Sequence, residues 1–266
     1  MKETILQNLT AECPWRDTLL WYEAIDSTNT QAKILAKAGA PQGTVLIADR
    51  QTAGRGRMGR SFHSPENAGI YMSVILRPNS PPAQLMHLTC AAGVAMGKAL
   101  EQVTGLQVQL KWINDLVYGT KKLGGILTEL SLDSRTGLCD YAVVGIGINC
   151  NQETADIPGE LHHIAASLRM VTGQPVDRAA LAAAMIEQLY RMNKQLLTGK
   201  AAIMDAYRQR CVTLGKEVSI LRGEEIFRGF ARDMDDDGGL VIDFSDGHTE
   251  TVSSGEVSVR GLYNYL

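Results

Sequence analysis

The feature that most constrains the fold is a stretch rich in glycine and arginine, QTAGRGRMGR at residues 51–60, which lies between two apolar runs. The runs TVLIADRQ and GIYMSVILRP are rich in the branched residues that are typical of buried strands. The segment after the loop, SFHSPENAG, contains Pro65, Asn67 and Gly69 and has no amphipathic repeat, so it does not predict a helix. The sequence therefore predicts a flexible, basic loop that connects two strands.

Two phosphate-binding motifs can be written through this loop, and the context argues against both. Gly54, Gly56 and Gly59 spell G-x-G-x-x-G, and residues 54–61 also fit a P-loop with Arg60 in the lysine position. Each motif needs a helix that begins at the loop. An isolated loop of this kind is more often a solvated surface segment. Its glycines nevertheless allow backbone N–H groups to approach a ligand, and its arginines suit carboxylate or phosphate oxygens.

Composition limits the class of protein. A chain of 266 residues with 45% hydrophobic residues can form one large domain and a small one. The net charge of -3 argues against general nucleic-acid binding and favours a small anionic ligand for the basic loop. Five cysteines without a C-x-x-C pair favour reduced, mostly buried thiols. Without an apolar signal core or a stretch of membrane-spanning length, we expect a cytoplasmic protein with no membrane partner.

The pattern up to residue 211 predicts an α/β layer fold. A polar turn at Asp26 to Asn29 leads into a helix that ends near Gly39, and a long helix is expected from residue 83 to residue 105. Three further strands are predicted at VQLKWINDLVY, KLGGILTELSL and CDYAVVGIGINCN. The pattern is helical again from Asp177 to about Cys211.

The remaining residues predict a second, smaller unit. Apolar and polar residues alternate between turns rich in glycine and aspartate, which is typical of a small antiparallel barrel. We therefore expect a larger α/β domain at residues 1–211 and a small β-domain at 212–266. Asp233, Asp235 and Asp237 resemble the start of a calcium loop, but Phe244 occupies its twelfth position, so a β-turn is predicted instead. The adjacent His162 and His163 are expected on the surface.

Three polar clusters, DSTNT, KWINDLVYGTKK and GIGIN, stand at predicted strand ends or turns. Each alone is explained by a helix cap, a core aromatic residue or a turn. Together with the glycine and arginine loop, they resemble the bacterial biotin protein ligases, also called biotin–acetyl-CoA-carboxylase ligases. The resemblance covers residues 20–266 in the family's order and approximate spacing, and it rests on DSTN, QTAGRGRMGR with SFHSP, KWINDL, KKLGGIL and VVGIGIN.

This resemblance implies a fold, an activity and partners. The fold is an α/β (α+β) catalytic domain related to lipoyl ligases and class II tRNA synthetases, followed by a small Src-homology-3-like β-barrel. The activity is activation of biotin with ATP to biotinyl-5'-AMP, with release of pyrophosphate and with Mg²⁺, and then transfer of biotin to a lysine. That lysine belongs to the biotin carboxyl carrier domain of acetyl-CoA carboxylase or a related enzyme. Family members occur as monomers and as dimers, so a homodimer is a possible assembly.

The resemblance also assigns site residues, with the biotin ureido ring bound by the DSTN turn. The catalytic set is Lys122, Arg57, Arg60 and Asp115. The biotin-binding set is Ser27, Thr28, Asn29, Gln51, Gly54, Arg55, Gly56, Arg57, Lys122, Gly125 and Gly145. The ATP-binding set is Arg57, Arg60, Lys111, Asn114, Asp115, Lys122 and Asn149. Asp115 is expected either to orient the acceptor lysine or to help hold Mg²⁺, and the sequence leaves both roles open.

Physical chemistry supports these residue types independently. Joining a carboxylate to ATP brings two anions together, so the site needs fixed positive charge, which Arg57, Arg60 and Lys122 can supply. The mixed anhydride is sensitive to water, which favours a loop that closes over it. Two departures from the family pattern, Ile113 for proline and Phe62 for tryptophan, remove no charge or donor and are expected to be packing variation. With about twenty residues before the catalytic core, we expect no winged helix-turn-helix and no DNA binding.

Two alternatives to a biotin ligase stay open. One is a ligase for lipoate or octanoate, against which the predicted terminal barrel and the complete loop argue. The other is a biotin-sensing binding protein without turnover. A passive binder has no need for the phosphate-facing charge of Arg57, Arg60 and Lys122, so the sequence favours an enzyme.

Overall fold

The computed structural model describes residues 1–222, 225–253 and 256–259. The first domain is built on a seven-stranded sheet in the order β1-β2-β3-β7-β6-β5-β4. Strands β1 and β2 run parallel, and the other neighbouring pairs run antiparallel. The strands are β1 (Leu19–Ile25), β2 (Val45–Gln51), β3 (Gly69–Leu76), β4 (Gln109–Lys111), β5 (Asp115–Tyr118), β6 (Lys121–Leu132) and β7 (Cys139–Asn149).

Helices cover both faces of this sheet, as the uniformly apolar strands predicted. The helices are α1 (Lys2–Asn8), α2 (Thr28–Lys37), α3 (Leu88–Thr104), α4 (Leu168–Thr172), α5 (Arg178–Gln195) and α6 (Lys200–Arg210). Along β3, Met72 and Val74 join the core beneath α3 and α5, whereas Ile75 on the opposite face joins the cluster beneath α2. Strand β3 is therefore buried at every position, which fits its central place between two helical layers.

The second domain is a five-stranded antiparallel sheet in the order β11-β10-β9-β8-β12. Its strands are β8 (Lys216–Arg222), β9 (Glu225–Met234), β10 (Leu240–Phe244), β11 (Thr249–Val252) and β12 (Glu256–Val259). The predicted small antiparallel β-domain is confirmed. Within the described ranges, β11 and β12 are not paired with each other, so the strands form an open sheet rather than the closed barrel that was expected.

The run VQLKWINDLVY does not form the single strand predicted for it. It forms a hairpin of β4 and β5, in which Lys111 pairs with Asp115 across a turn at residues 112–114. The backbone N–H of Trp112 donates to Thr213 Oγ1 at 3.0 Å, and its peptide bond to Ile113 is cis. Asn114 and Asp115 are turn formers, and this signal outweighs the apolar run around them. The long helix predicted from residue 83 is likewise interrupted, because a short 3-10 turn at Pro82–Leu85 precedes α3.

The turn between β9 and β10 joins the two domains. Asp235 Oδ1 accepts the backbone N–H groups of Asp237 and Gly239, which confirms the predicted β-turn. The carbonyl of Gly238 in this turn accepts the indole N–H of Trp112 at 2.8 Å. Cations of α6 bind the same turn, since Arg208 Nη2 lies 2.6 Å from Asp236 Oδ1. The turn is therefore a docking element between the domains.

Other expectations can be compared with the described part of the chain. All five cysteines are unpaired and buried, as predicted. His162 and His163 are exposed. Among the described residues there is no group of three metal-ligating His, Cys, Asp or Glu side chains, and none of the described helices has the length and apolarity needed to cross a membrane.

Candidate active site

A cavity of about 280 Å³ opens on the sheet, between the loop after β2 and the β4–β5 hairpin. Most of the residues assigned to the site line it. These are Ser27, Thr28, Asn29, Gln51, Arg55, Gly56, Arg57, Arg60, Lys111, Asn114, Asp115, Lys122, Gly125, Gly145 and Asn149. Gly54 does not line the cavity. A Cβ there would lie 2.4 Å from the carbonyl oxygen of Phe62, so this glycine permits close packing at the base of the loop.

The first turn of α2 carries buried polar side chains into one end of the cavity. Ser27 caps the helix by accepting the N–H of Thr30, which explains why the helix begins here. Thr28 donates to Gln51 Oε1 with both its backbone N–H, at 2.9 Å, and its hydroxyl, at 3.1 Å. Gln51 Nε2 in turn donates to Ser64 Oγ at 2.9 Å. These side chains form a fixed hydrogen-bonding wall.

Asn29 lies against the backbone of β7. Its Oδ1 accepts from Ser73 Oγ at 2.6 Å, and its Nδ2 donates to the carbonyl of Leu127 at 3.2 Å. A Cβ at Gly145 would lie 1.9 Å from Asn29 Oδ1, so no larger residue fits between this amide and the strand. The glycine in VVGIGIN thus admits a polar side chain to the pocket floor.

The loop between β2 and β3 is folded as a small hairpin. The N–H of Gly56 donates to Arg60 O at 2.7 Å, and the N–H of Phe62 donates to Gly54 O at 2.9 Å. Arg57 Nη1 donates to Asn114 Oδ1 on the β4–β5 turn at 3.1 Å. The loop therefore reaches across the cavity from the end of β2 to the β4–β5 hairpin.

Positive charge dominates the lining. Among the described residues, the cavity is lined by five Lys and Arg side chains, Arg55, Arg57, Arg60, Lys111 and Lys122, and by one carboxylate, Asp115. Lys122 Nζ lies 2.6 Å from Asp115 Oδ1, and the Asp115 side chain is 12% exposed. Five cations and one carboxylate give the described lining a positive net charge, so the cavity is suited to an anionic ligand.

Apolar groups form the other half of the lining, and the sequence analysis assigned none of them to the site. Phe62 packs on Gly147, where a Cβ would lie 2.5 Å from the ring. Residues 152–165 contribute the apolar Ile157, Pro158, Leu161, Ile164 and Ala165, together with the polar Gln152. This segment is joined to β6 because the N–H of Lys122 donates to Ile164 O at 2.7 Å. Its apolar residues follow neither a helical nor a strand period, so sequence periodicity gave no signal for it.

The family to which the chain belongs follows from comparison with known proteins. Residues 21–149 match the model of the Biotin/lipoate A/B protein ligase family, and residues 213–260 match the Biotin protein ligase C terminal domain. The first match lies in the seven-stranded domain and the second in the small C-terminal β-domain.

Comparison with individual relatives supports the same family assignment. The bifunctional ligase/repressor BirA of Bacillus subtilis is 36% identical over 86% of this chain and 70% of its own length. A biotin–[acetyl-CoA-carboxylase] ligase of Mycobacterium tuberculosis is 34% identical over 87% of this chain and 85% of its own. The structure of the Aquifex aeolicus biotin protein ligase in complex with biotin and ATP matches with a TM-score of 0.77 and 34% identity, over 91% of this chain and 98% of that one. The chain belongs to the biotin protein ligase family.

Proposed function

We propose that this protein activates biotin with ATP to biotinyl-5'-AMP, releases pyrophosphate, and transfers biotin to a lysine of a biotin carboxyl carrier protein, with AMP as the leaving group. The observation that carries the proposal is the cavity itself. A hydrogen-bonding wall stands at one end, five cations line it, and the glycine and arginine loop reaches across it. The relative from Aquifex aeolicus, in complex with biotin and ATP, has the same fold.

Biotin occupies the end formed by α2 and β7 in this proposal. The ureido ring carries donors and an acceptor, and Ser27, Thr28, Asn29 and Gln51 supply complementary groups there. A site with buried polar groups strongly rejects ligands that leave those groups unpaired. Gly125 and Gly145 allow the strand backbones to approach the ring and the valeryl chain.

ATP occupies the cationic end. Arg57, Arg60 and Lys122 stabilise the α-phosphate and the pyrophosphate that leaves, and Lys111, Asn114 and Asn149 complete the nucleotide site. Fixed positive charge matters most where negative charge develops, which is at the α-phosphate when the biotin carboxylate attacks it. With the loop across the cavity, water is kept from the mixed anhydride.

Asp115 is the remaining charged group of the site. Mg²⁺ commonly binds one or two carboxylates together with substrate phosphates. Asp115 fits that pattern as a single carboxylate, and the ion would then neutralise phosphate charge. The carboxylate equally suits the acceptor lysine, whose amine must lose a proton to attack the acyl carbon. The five unpaired, buried cysteines fit a reducing compartment, so we place the reaction in the cytoplasm.

Biotin-dependent exchange of labelled pyrophosphate into ATP, without acceptor protein, tests the first half-reaction. We expect strong exchange in the wild type and a loss of about 10²-fold or more in Lys122→Ala and Arg57→Ala. Lys98→Ala is the matched control, because Lys98 is exposed on α3 and does not line the cavity.

The same assay separates the alternatives. Exchange with lipoate or octanoate but not with biotin would make the protein a ligase for those acids. Biotin binding without exchange for any acid would make it a sensor. Transfer is tested separately, by incubating the protein with ATP, biotin and a biotin carboxyl carrier domain and by detecting biotin on the carrier lysine.

A further inference from the structure

Glu129 of β6 lies just outside the cavity, and the sequence analysis assigned it no role. Its side chain is 23% exposed. Oε1 accepts from Lys33 Nζ of α2 at 2.8 Å. Oε2 accepts from Asn29 Nδ2 at 3.1 Å and from Arg55 Nη1 at 3.2 Å. One carboxylate therefore contacts both Asn29, a polar side chain that lines the cavity, and Arg55 of the glycine and arginine loop.

The charge state of Glu129 follows from these contacts. Burial raises the pKa of its carboxyl, but the hydrogen bonds from Lys33 and Asn29 and the charges of Lys33 and Arg55 together hold that pKa below its ordinary value. Glu129 is therefore an anion at neutral pH. An ionised carboxylate accepts hydrogen bonds and donates none.

This restriction determines how the amide of Asn29 is oriented. Ser73 has a hydroxyl that can donate or accept, so by itself it would allow either orientation of the amide. Glu129 and the carbonyl of Leu127 can only accept, so the NH₂ group must face them. Both N–H bonds are thereby used, and Oδ1 accepts from Ser73 with one lone pair to spare. Asn29 can offer the cavity a hydrogen-bond acceptor and no donor.

Arg55 gives Glu129 a second connection. The ion pair joins the first arginine of the loop to β6, while Arg57 joins the other side of the loop to Asn114. Loss of the carboxylate would remove the partner that the Arg55 guanidinium has on β6. The same group thus contacts the recognition residue and the closing loop.

We propose that Glu129 is a positioning residue for biotin, because it fixes Asn29 as the acceptor for a ureido N–H and anchors the loop through Arg55. The inference rests on the proposed function and deepens it. Biotin has two ureido N–H groups, so the role of Asn29 can be tested with a biotin in which one ureido nitrogen is methylated.

Glu129→Gln tests this role with a side chain of the same size. The new amide can donate to Asn29 as well as accept from it, so the carbonyl of Leu127 alone then disfavours the reversed orientation of the Asn29 amide, and the ion pair with Arg55 is lost. We expect the KM for biotin in pyrophosphate exchange to rise about tenfold, which corresponds to about 1.4 kcal/mol, with a smaller change in kcat. We also expect faster trypsin cleavage after the arginines of residues 55–60.

The selectivity for biotin over its N-methylated form distinguishes a positioning role of Glu129 from a role in stability alone. Wild-type protein should discriminate biotin from the N-methylated compound, and Glu129→Gln should lose most of that discrimination. Lys33→Met is the matched control, because it removes another partner of Glu129 and leaves the contacts to Asn29 and Arg55. We expect this variant to keep the KM, the selectivity and the trypsin resistance of the wild type.

The results for Glu129→Gln and for the wild type test the inference and the proposed function separately. Unchanged KM and selectivity in Glu129→Gln, or equal effects of Glu129→Gln and Lys33→Met, would overturn the inference. Absence of exchange in the wild type would reject the proposed function instead. In that case, calorimetric binding of biotin and its methylated form, with the trypsin assay, still decides whether Glu129 positions Asn29 and the loop.

Discussion

Lys122 and Asp115 form an ion pair across neighbouring strands, with 2.6 Å between Nζ and Oδ1. Asp115 begins β5 directly after the β4–β5 turn, and Lys122 lies at the start of β6. Gly125, which pairs with Asp115, presents no side chain between the two groups. The pair therefore joins Lys122, the proposed phosphate contact, to the carboxylate found among the described residues of the lining.

Asp115→Asn should reduce both half-reactions, because it removes the group that holds the Lys122 ammonium in place. We expect pyrophosphate exchange to fall by about 10²-fold, the magnitude typical of losing one electrostatic contact in an active site. Exchange and transfer from purified biotinyl-5'-AMP should be measured separately. If exchange is unchanged and transfer alone falls, Asp115 acts on the acceptor lysine rather than on adenylation.

Gly145→Ala should abolish tight biotin binding with little loss of the fold. The added Cβ would lie 1.9 Å from Asn29 Oδ1, so Asn29 has to leave its position on β7. We expect the Kd for biotin, measured by calorimetry, to rise by at least about tenfold, as for loss of a buried hydrogen bond. Gly159→Ala is the control, since a Cβ there meets nothing within 4 Å. Equal affinities in the two variants would contradict this account of Asn29.

Trp112→Phe should weaken the contact between the domains. It removes the N–H that donates to Gly238 O at 2.8 Å and leaves that carbonyl without its donor. We expect a loss of about 1–3 kcal/mol in the free energy of unfolding, measured with urea. Trp21→Phe serves as the comparison, because Trp21 is partly exposed on the outer strand β1. A smaller loss for Trp112→Phe than for Trp21→Phe would argue against the docking role of the turn.

The cysteine thiols should be unreactive in the folded protein at pH 8. Burial raises the pKa of Cys150 to about 12, and it raises the pKa values of Cys90 and Cys211 as well. A thiol reagent such as DTNB should modify the thiols only after unfolding in guanidinium. Rapid reaction of the native protein would show that these residues are more accessible than the structure has them.

The same pKa shifts predict the alkaline limit of stability. A thiol whose pKa is raised in the folded state contributes stability below its unfolded pKa of 9.0. This contribution is lost as the pH rises towards the folded pKa. For Cys150 the loss should fall between pH 9 and about 12. Between its unfolded and folded pKa values, each such thiol lowers the free energy of unfolding by about 1.4 kcal/mol per pH unit. Urea unfolding at pH 8 and pH 10 measures the change, and Cys150→Ala should reduce it.

The sequence alone determined the features that rest on local chemistry. Ser27 caps α2 because its side chain precedes a helical repeat, and β3 is a buried strand because its residues are branched and apolar. The glycine and arginine loop was placed between two strands because Pro65 and Asn67 exclude a helix after it. The family motifs then indicated nearly the whole polar half of the cavity.

The tertiary structure decided what depends on contacts between distant segments. Glu129 lies in a run of apolar and polar residues that marks it as a strand position, and its contacts with Asn29 and Arg55 arise from the pairing of β6 with β7 and the packing of α2. Residues 157–165 carry no periodic pattern, and the backbone bonds to Lys122 bring them to the cavity. The β4–β5 hairpin was missed because the turn signal of Asn114 and Asp115 was outweighed in the sequence analysis by the apolar run, whereas the distant partner of the Trp112 indole, Gly238 O, is visible only in the tertiary structure. Sequence spacing specifies local backbone preferences. The partners of a buried polar side chain depend instead on which distant segments of the chain pack together.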